Sequence, residues 1–560
     1  MVDVGFLDQK RLLEGPWQAF ERDVARLLIF NGFDDVRLVG GSGDKGADIL
    51  GAKGGELWVF QCKHTTSSPP PKAAIAEVVE AARFYKAQRM VVAVSRQPGQ
   101  AFYDEVSRYR RQGLFVDVAE PSKLLRHMEK TPEYPRSRRT LRNYQEQAVD
   151  LLRNALIDTG RGQVVLATGL GKTIVMAEVV ADLFRDGLVE HGRALVLGHT
   201  RDLVEQLHQA FWHQLPKWVR TEHLAGGECP ILWDGLIFAT VQSVVSQLEE
   251  FPPVGLVLVD EAHHIGADMF RRTIESLRPK MLCGVTATPW RGDGFDIDSL
   301  LGSPLVQMGI ADGLSKGFLA EVDYRICADN VDWTFVQEIS EHNYSVSQLN
   351  RRLLIPARDE QAARWIRNVF DEERRRGGIV FCPTVVHSKD MAGMLRLYGF
   401  RAESVTAEVD ARERERLLSS FRAGHLDFVT TVDLFNEGVD VPDVDLVVFM
   451  RSTHSRRIFV QQLGRGLRLS RSKSKVVVLD FVSDLRRVAE VVTLDQSIYG
   501  GELERLGLGG RLISFRDASA GSFIREWMLD QASIFLREGD PVLELPRFEY
   551  PEPPFPGAVQ

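Results

Sequence analysis

Cysteine is scarce in this chain: five residues in 560, at positions 62, 229, 283, 327 and 382. They are odd in number and lack metal-ligand spacing, which argues against a disulfide framework or a zinc cluster and for free thiols in a reducing compartment. No apolar run approaches the roughly 20 residues that a membrane-spanning helix needs. The opening Met1-Val-Asp-Val-Gly-Phe-Leu-Asp8 has neither the basic nor the apolar region of a secretory leader. The expectation is a cytoplasmic protein with no membrane partner. A basic excess is missing too, the net charge being -8, but nucleic-acid binding depends on local clusters such as Arg136-Ser-Arg-Arg-Thr-Leu-Arg142 and the arginine-rich stretch 451–475. No internal repeat stands out. The hydrophobic share of 44% and charged share of 26% are those of an ordinary soluble protein, and the length suggests three or four domains, each large enough for its own core.

The chain does contain a phosphate cradle. The strand-like Gln163-Val-Val-Leu runs into Ala167-Thr-Gly-Leu-Gly-Lys-Thr173 and then the helical pattern Ile174-Val-Met-Ala-Glu-Val-Val. Backbone N–H groups around Thr168, Gly169 and Gly171 can face phosphates at a helix N-terminus, Lys172 can reach the β and γ phosphates of ATP, and the Thr173 hydroxyl can ligate magnesium. The usual first glycine of such a loop falls on Leu166. Eighty-eight residues after Lys172, the apolar run Gly255-Leu-Val-Leu-Val ends in Asp260-Glu261-Ala-His-His264. Asp260 at a strand end can hold the magnesium through its waters, and Glu261 can orient or deprotonate the attacking water.

On these segments, and on an ordered series around them, residues 138 to 486 resemble the superfamily 2 DEAD/DEAH-box helicases and translocases, of the kind that drives type I and III restriction. Leu141-Arg-Asn-Tyr-Gln145 looks like the adenine-recognition motif, in which Gln145 would read the base edge while Tyr144 or Arg142 packs on the ring. Leu195 to Gln206 and Ala239 to Ser243 resemble the first-domain segments that grip a nucleic-acid backbone. Thr286-Ala-Thr-Pro-Trp-Arg291 resembles the motif that couples hydrolysis to strand contact. Gly378 to Pro383, Thr430 to Asp440 and Gln461 to Arg468 would come from a second domain of the same fold, with Gly438 and Asp440 as nucleotide contacts. Hydrolysis needs positive charge at the γ phosphate in the transition state, which an arginine delivered across a domain cleft supplies. By motif position Arg468 is the first candidate and Arg465 the second.

The first 130 residues read as a separate unit. Pro16 to Phe30 carries apolar residues at helical spacing and ends at the stop signal Asn31-Gly32. Strand-like Val36-Arg-Leu-Val, a glycine-rich turn over 40–46, Ala47-Asp48-Ile-Leu, a hairpin at Lys53-Gly-Gly and Leu57-Trp-Val-Phe-Gln-Cys-Lys63-His64 follow. An acid and a lysine on adjacent strands can meet at one sheet edge, as a metal-dependent phosphodiesterase requires, with Asp48 as central ligand, Glu21 from the neighbouring helix and Lys63 polarising water or phosphate. This portion resembles the Mrr-like restriction endonucleases, and the resemblance carries over to Asp48, Gln61, Lys63 and the helix acid Glu21. Gln61 replaces the second carboxylate of the wider superfamily, so one magnesium is expected, with manganese as a substitute. A helix over 73–85, a strand over 90–94, a helix over 100–112 and a strand over 114–118 complete the unit.

The expected architecture is α/β: a restriction-endonuclease-like domain (1–129), a linker (130–140), two RecA-like doubly wound parallel-sheet domains (141–305 and 306–486) and a C-terminal extension (487–560) with a proline-rich end. The expected function is an ATP-dependent DNA motor carrying a metal-dependent endonuclease, in restriction, phage defence or repair. Self-association and accessory defence or repair proteins stay open as partners. Two alternatives stand: a repair helicase whose N-terminal domain only binds DNA or a partner, and an RNA helicase.

Overall fold

The computed structural model describes residues 5–39, 47–287, 296–309, 312–313, 316–326, 343–345, 359–422, 424–432, 444–450, 475–481 and 542–544. The chain divides into two compact units, one of residues 1–167 with 171–308 and one of 309–560 with 168–170.

The first unit opens with α1 (Gln9–Leu13) and α2 (Trp17–Phe30), then a five-stranded sheet of β1 (Asp34–Leu38), β2 (Ile49–Lys53), β3 (Glu56–Lys63), β4 (Arg89–Val94) and β5 (Val116–Ala119) in sequential order. β1, β2 and β3 are antiparallel, whereas β3, β4 and β5 run parallel. The β2–β3 turn places Gly54 and Gly55 at φ +60° and +82°, the left-handed pair that a two-residue hairpin needs. Helices α3 (Ala73–Tyr85) and α4 (Gln100–Arg111) supply the parallel crossovers, and α5 (Pro121–Lys130), with proline at its first turn, follows. Apart from α1 and α5, for which the sequence carries no separate signal, these elements coincide with the sequence expectations to within two or three residues.

The same unit then builds a seven-stranded parallel sheet from β6 (Arg161–Leu166), β7 (Arg193–Gly198), β8 (Thr221–Leu224), β9 (Gly235–Thr240), β10 (Leu256–Asp260), β11 (Met281–Thr286) and β12 (Val306–Met308), in the order β12-β6-β11-β10-β7-β9-β8. Helices α6 (Asn143–Asp158), α7 (Lys172–Arg185), α8 (Arg201–Phe211), α9 (Val241–Val245), α10 (Asp268–Leu277) and α11 (Asp298–Leu301) accompany it. Every residue of β10 is buried, as the strand of a parallel sheet covered on both faces must be. Residues 306–308 pair with β6, so the first motor sheet extends to Met308.

The second unit holds a six-stranded parallel sheet of β13 (Glu321–Ile326), β15 (Gly378–Phe381), β16 (Ala402–Ser404), β17 (Phe428–Thr431), β18 (Leu446–Phe449) and β19 (Lys475–Asp480), in the order β13-β19-β18-β15-β17-β16. Helices α12 (Asp359–Glu372), α13 (Val385–Leu397) and α14 (Ala411–Arg422) belong to it, and β14 (Asn343–Ser345) pairs antiparallel with β20 (Val542–Glu544). The α/β architecture with two doubly wound parallel sheets stands as the sequence suggested. No helix among the described residues is long and apolar enough to cross a membrane, and Cys62, Cys229, Cys283 and Cys382 are free thiols.

Candidate functional sites

The phosphate loop leaves β6 and enters α7. Leu166, which stands where the usual first glycine would be, is the last residue of β6, fully buried and paired with Met308. It is a strand residue in the sheet, so the missing glycine costs the turn nothing. The turn itself uses Gly169 and Gly171, at φ +91° and +85°, values that only glycine adopts without strain. A Cβ at Gly171 would also lie 2.4 Å from Gln145 Nε2. The amide of Gln145 is thus set against the cradle, and its Oε1 accepts from Arg142 N–H at 2.9 Å. Tyr144 is buried beside it, whereas Arg142 is half-exposed and the better placed of the two to cover a base ring.

Lys172 and Thr173 begin α7, and β10 delivers Asp260 and Glu261 opposite them. Lys172 Nζ donates to Glu261 Oε1 at 3.1 Å. Glu261 sits in left-handed backbone at φ +51°, ψ +53°, a conformation that costs a non-glycine residue of order 1–3 kcal/mol and recurs at functional sites. Asp260 is 5% exposed, and its Oδ1 has no hydrogen-bond partner among the described residues. Burial first, and then the neighbouring Glu261 charge, push its carboxyl up to about 6, against the pull of Lys172. An orphaned buried carboxylate oxygen is what a cation or its water shell would satisfy, so the residues fit a divalent metal. One strand on, His263 Nδ1 lies 2.9 Å from Thr286 Oγ1 at the end of β11, tying the acidic motif to the segment resembling the coupling motif. The His264 ring is tilted against those of His263 and His199, with ring centroids 4.3 and 4.7 Å away.

The second constellation lies at the end of β3. Asp48, 2% exposed, accepts from Cys62 N–H at 2.5 Å and from Gln61 Nε2 at 2.7 Å through the same oxygen. Glu21 on α2 is buried. Burial, then the charges of Asp48 and Glu21, hold the Cys62 thiol well above its ordinary range, with Lys63 opposing. Gln61 Oε1 is buried without a hydrogen-bond partner among the described residues, so it adds an unused acceptor to the two carboxylates. Among the described residues no three His, Cys, Asp or Glu side chains are arranged to hold a metal. Lys63 Nζ pairs with Glu77 Oε2 on α3 at 2.7 Å. Glu77 was not legible beforehand, because in sequence it is one acid among several on a helix. Arg465, Arg468, Gly438 and Asp440 lie outside the described residues, as does the glycine-rich turn before Asp48.

A third feature gave no sequence signal. Helix α2 is buried from Ala19 to Phe30, including Glu21, Arg22, Asp23 and Arg26. The apolar spacing says nothing of where these charged residues face, and the first motor domain covers Arg22 and Arg26. Arg26 donates to the carbonyls of Val219 and Pro216 at 2.8 and 3.0 Å. Arg11 joins Asp23 at 2.5 Å to the carbonyl of Thr221 at 2.9 Å and to Glu222. Trp212, just after α8, is part of one apolar cluster with Phe6, Phe20 and Val24.

The comparisons follow the same division. Residues 12–117 match a restriction endonuclease family of the Mrr catalytic type, residues 138–291 match the type III restriction enzyme res subunit family, and residues 361–470 match the helicase conserved C-terminal domain. A protein of Saccharomyces cerevisiae named as an ATP-dependent helicase, IRC3, is 24% identical over 354 residues, covering 61% of this chain and 51% of its own. The endonuclease subunit of the Escherichia coli type I restriction enzyme EcoKI is 27% identical over 405 residues, covering 59% of this chain and 33% of its own. The chain therefore spans about half or less of the length of these relatives. Among solved structures, the DNA-bound ATP-dependent type ISP restriction-modification enzyme LlaBIII superposes with a TM-score of 0.53 at 16% identity, over 92% of this chain and 41% of that one, which shows a shared fold.

Proposed function

We propose that this chain, a superfamily 2 helicase core joined to an N-terminal Mrr-like restriction-endonuclease domain, is an ATP-driven DNA motor that cuts DNA with its own metal-dependent nuclease. The observation that carries the reading is the presence, in one compact unit, of the Lys172–Glu261 pair next to Asp260 and of the Asp48–Gln61 pair at the end of the strand that carries Lys63. In the motor, Lys172 neutralises the β and γ phosphates, Gln145 and Arg142 hold the base, and Glu261 orients the water for in-line attack. Arg465 and Arg468 are the proposed arginines for the charge that develops on the γ phosphate. Thr173 and Asp260 would hold magnesium in the motor, and Asp48 and Glu21 would hold magnesium or manganese in the nuclease, where the ion supplies charge neutralisation and an acidified water. In the nuclease, Lys63 leaves Glu77 to meet the scissile phosphate, and Gln61 fixes the orientation of Asp48.

The proposed division is nuclease over 1–129, motor lobes over 141–308 and 309–486, and an extension over 487–560. The restriction relatives favour DNA as substrate, in a cytoplasmic restriction, defence or repair role, with further copies or accessory proteins as partners. Contacts to phosphate that carry no sequence information would suffice for translocation. The test is a pair of variants assayed on plasmid DNA: Lys172→Ala should lose ATP hydrolysis, and Asp48→Ala with Lys63→Ala should lose cutting while hydrolysing ATP at the wild-type rate. One observation favours a second reading, in which the N-terminal domain binds DNA without cutting it: Lys63 is engaged by Glu77. That reading predicts DNA affinity with no cleavage in either metal.

A further inference from the structure

Helix α2 carries a nuclease acid and a motor contact on consecutive residues. Glu21 is buried on the helix whose Phe20 and Val24 share an apolar cluster with Ile49 and Cys62, the chain neighbours of Asp48 and Gln61, while Arg22 reaches Glu228 in one direction and Glu205 Oε2 of α8, at 3.7 Å, in the other. The His223 ring lies between the same two acids, its nitrogens 3.4 Å from each. Arg22 and Glu228 are both nearly excluded from water. A buried charge of this kind can be left without its partners only at large cost, so the position of α2 follows that of the acids around Arg22.

Those acids are attached to the part of the motor expected to touch a strand. Glu205 is one helical turn along α8 from Arg201, and Thr200 caps that helix, accepting from Leu203 N–H at 3.3 Å. Thr200 and Arg201 lie in the segment resembling the backbone grip. Arg201 also packs against the loop that carries Glu228, where a Cβ on Gly226 would lie 2.9 Å from its guanidinium. A phosphate drawn to Arg201 would therefore compete with this packing and shift the start of α8, one turn before the Glu205 to which Arg22 is held.

We infer that Arg22, with Glu205 and Glu228, is a positioning link through which strand binding at Thr200–Arg201 sets Glu21 against Asp48. The nuclease is then ordered by DNA on the motor rather than tethered to it as an independent cutter. This rests on the nuclease reading above and adds its regulation. Glu205 is the member to change, because it is part-exposed and Glu205→Gln is nearly isosteric.

The experiment uses the full chain and reads two quantities. The first is hydrogen exchange in peptides covering residues 17–30, with and without duplex DNA. It should change on DNA addition in the wild type and not in Glu205→Gln. The second is the number of DNA cuts per ATP hydrolysed, a ratio that corrects for any change in ATP turnover and should fall by about 5- to 150-fold in Glu205→Gln, the usual range of coupling between linked sites. Glu205→Asp should restore part of the ratio. A merely structural role would lower cutting, ATP hydrolysis and melting temperature together and leave the ratio unchanged, and that result would overturn the inference. So would exchange in α2 that ignores DNA in the wild type. If Glu205→Gln proves unstable, Arg22→Lys takes the same two measurements with the same criteria. Failure of the nuclease reading itself looks different: cutting would persist in the Asp48→Ala, Lys63→Ala protein, whatever α2 does.

Discussion

Lys172 Nζ and Glu261 Oε1 are 3.1 Å apart, so the cation expected at the phosphates and the acid expected at the attacking water touch each other. ATP must take the lysine from the glutamate, which frees the acid for water. Lys172→Ala should therefore lower the turnover of ATP by about 10²–10³-fold, as removal of a preorganised positive group does. Glu261→Gln should bind ATP normally and lose about 10²–10⁴-fold in turnover, the usual contribution of a positioned base. Steady-state hydrolysis and nucleotide titration separate the two; equal binding defects in both would contradict these roles.

Gly171 joins two motifs that are far apart in sequence. Its φ of +85° and the 2.4 Å from a hypothetical Cβ to Gln145 Nε2 leave no room for alanine. Gly171→Ala should carry about 1–2 kcal/mol of left-handed backbone strain and displace Gln145 as well. Titration with a fluorescent ATP analogue should show binding about tenfold weaker or worse. Unchanged affinity would mean that Gln145 does not border the nucleotide.

The buried histidines make the first unit acid-sensitive. Burial, then the charge of Arg22, holds His208 well below its ordinary value and His223 down to about 3. Both are therefore neutral when folded, and the unfolded chain binds the extra protons below about pH 6.5. Stability should be independent of these groups above that pH and fall as pH drops from 6.5 towards 3, by up to about 1.4 kcal/mol per pH unit for each. His208→Phe keeps the stack on Phe238, whose ring lies 4.4 Å away, and removes one titrating group. Denaturant unfolding at pH 7.5 and 5.5 should show a smaller loss in this variant than in the wild type; an equal loss would contradict the assignment.

Gln61→Glu would place a carboxylate 2.7 Å from that of Asp48. Without divalent metal the two repel, and a cost of about 1 kcal/mol would lower the melting temperature by about 2–4 °C. Manganese should raise the melting temperature more in the variant than in the wild type. No difference in the metal-induced shift would mean that metal does not bind between Asp48 and position 61.

What the sequence made legible was local. Lys172, Thr173, Asp260 and Glu261 stand at strand ends and a helix start, and short motifs mark those places because a phosphate loop and a strand-end acid pair are each built from consecutive residues. The strands and helices from 73 to 119 were legible for the same reason, since each carries its own periodicity. Pairings across long separations left no trace. Nothing in the sequence joins Glu77 to Lys63, His263 to Thr286, or Arg11 to Glu222, because each depends on which surfaces the fold brings together. Helix α2 shows the limit most clearly: its apolar spacing marks a helix but not what its charged residues meet, and only the packed first unit shows that Arg22 and Arg26 are enclosed by the motor.

The most direct test is plasmid cleavage by the full chain with magnesium, in the presence and absence of ATP, set beside the Lys172→Ala protein and the Asp48→Ala, Lys63→Ala protein. An ATP-driven motor that serves its own nuclease predicts cutting that needs ATP, is lost in the Lys172 variant and is lost in the Asp48/Lys63 variant with ATP hydrolysis intact. Cutting by the Asp48/Lys63 variant at the wild-type rate would contradict it.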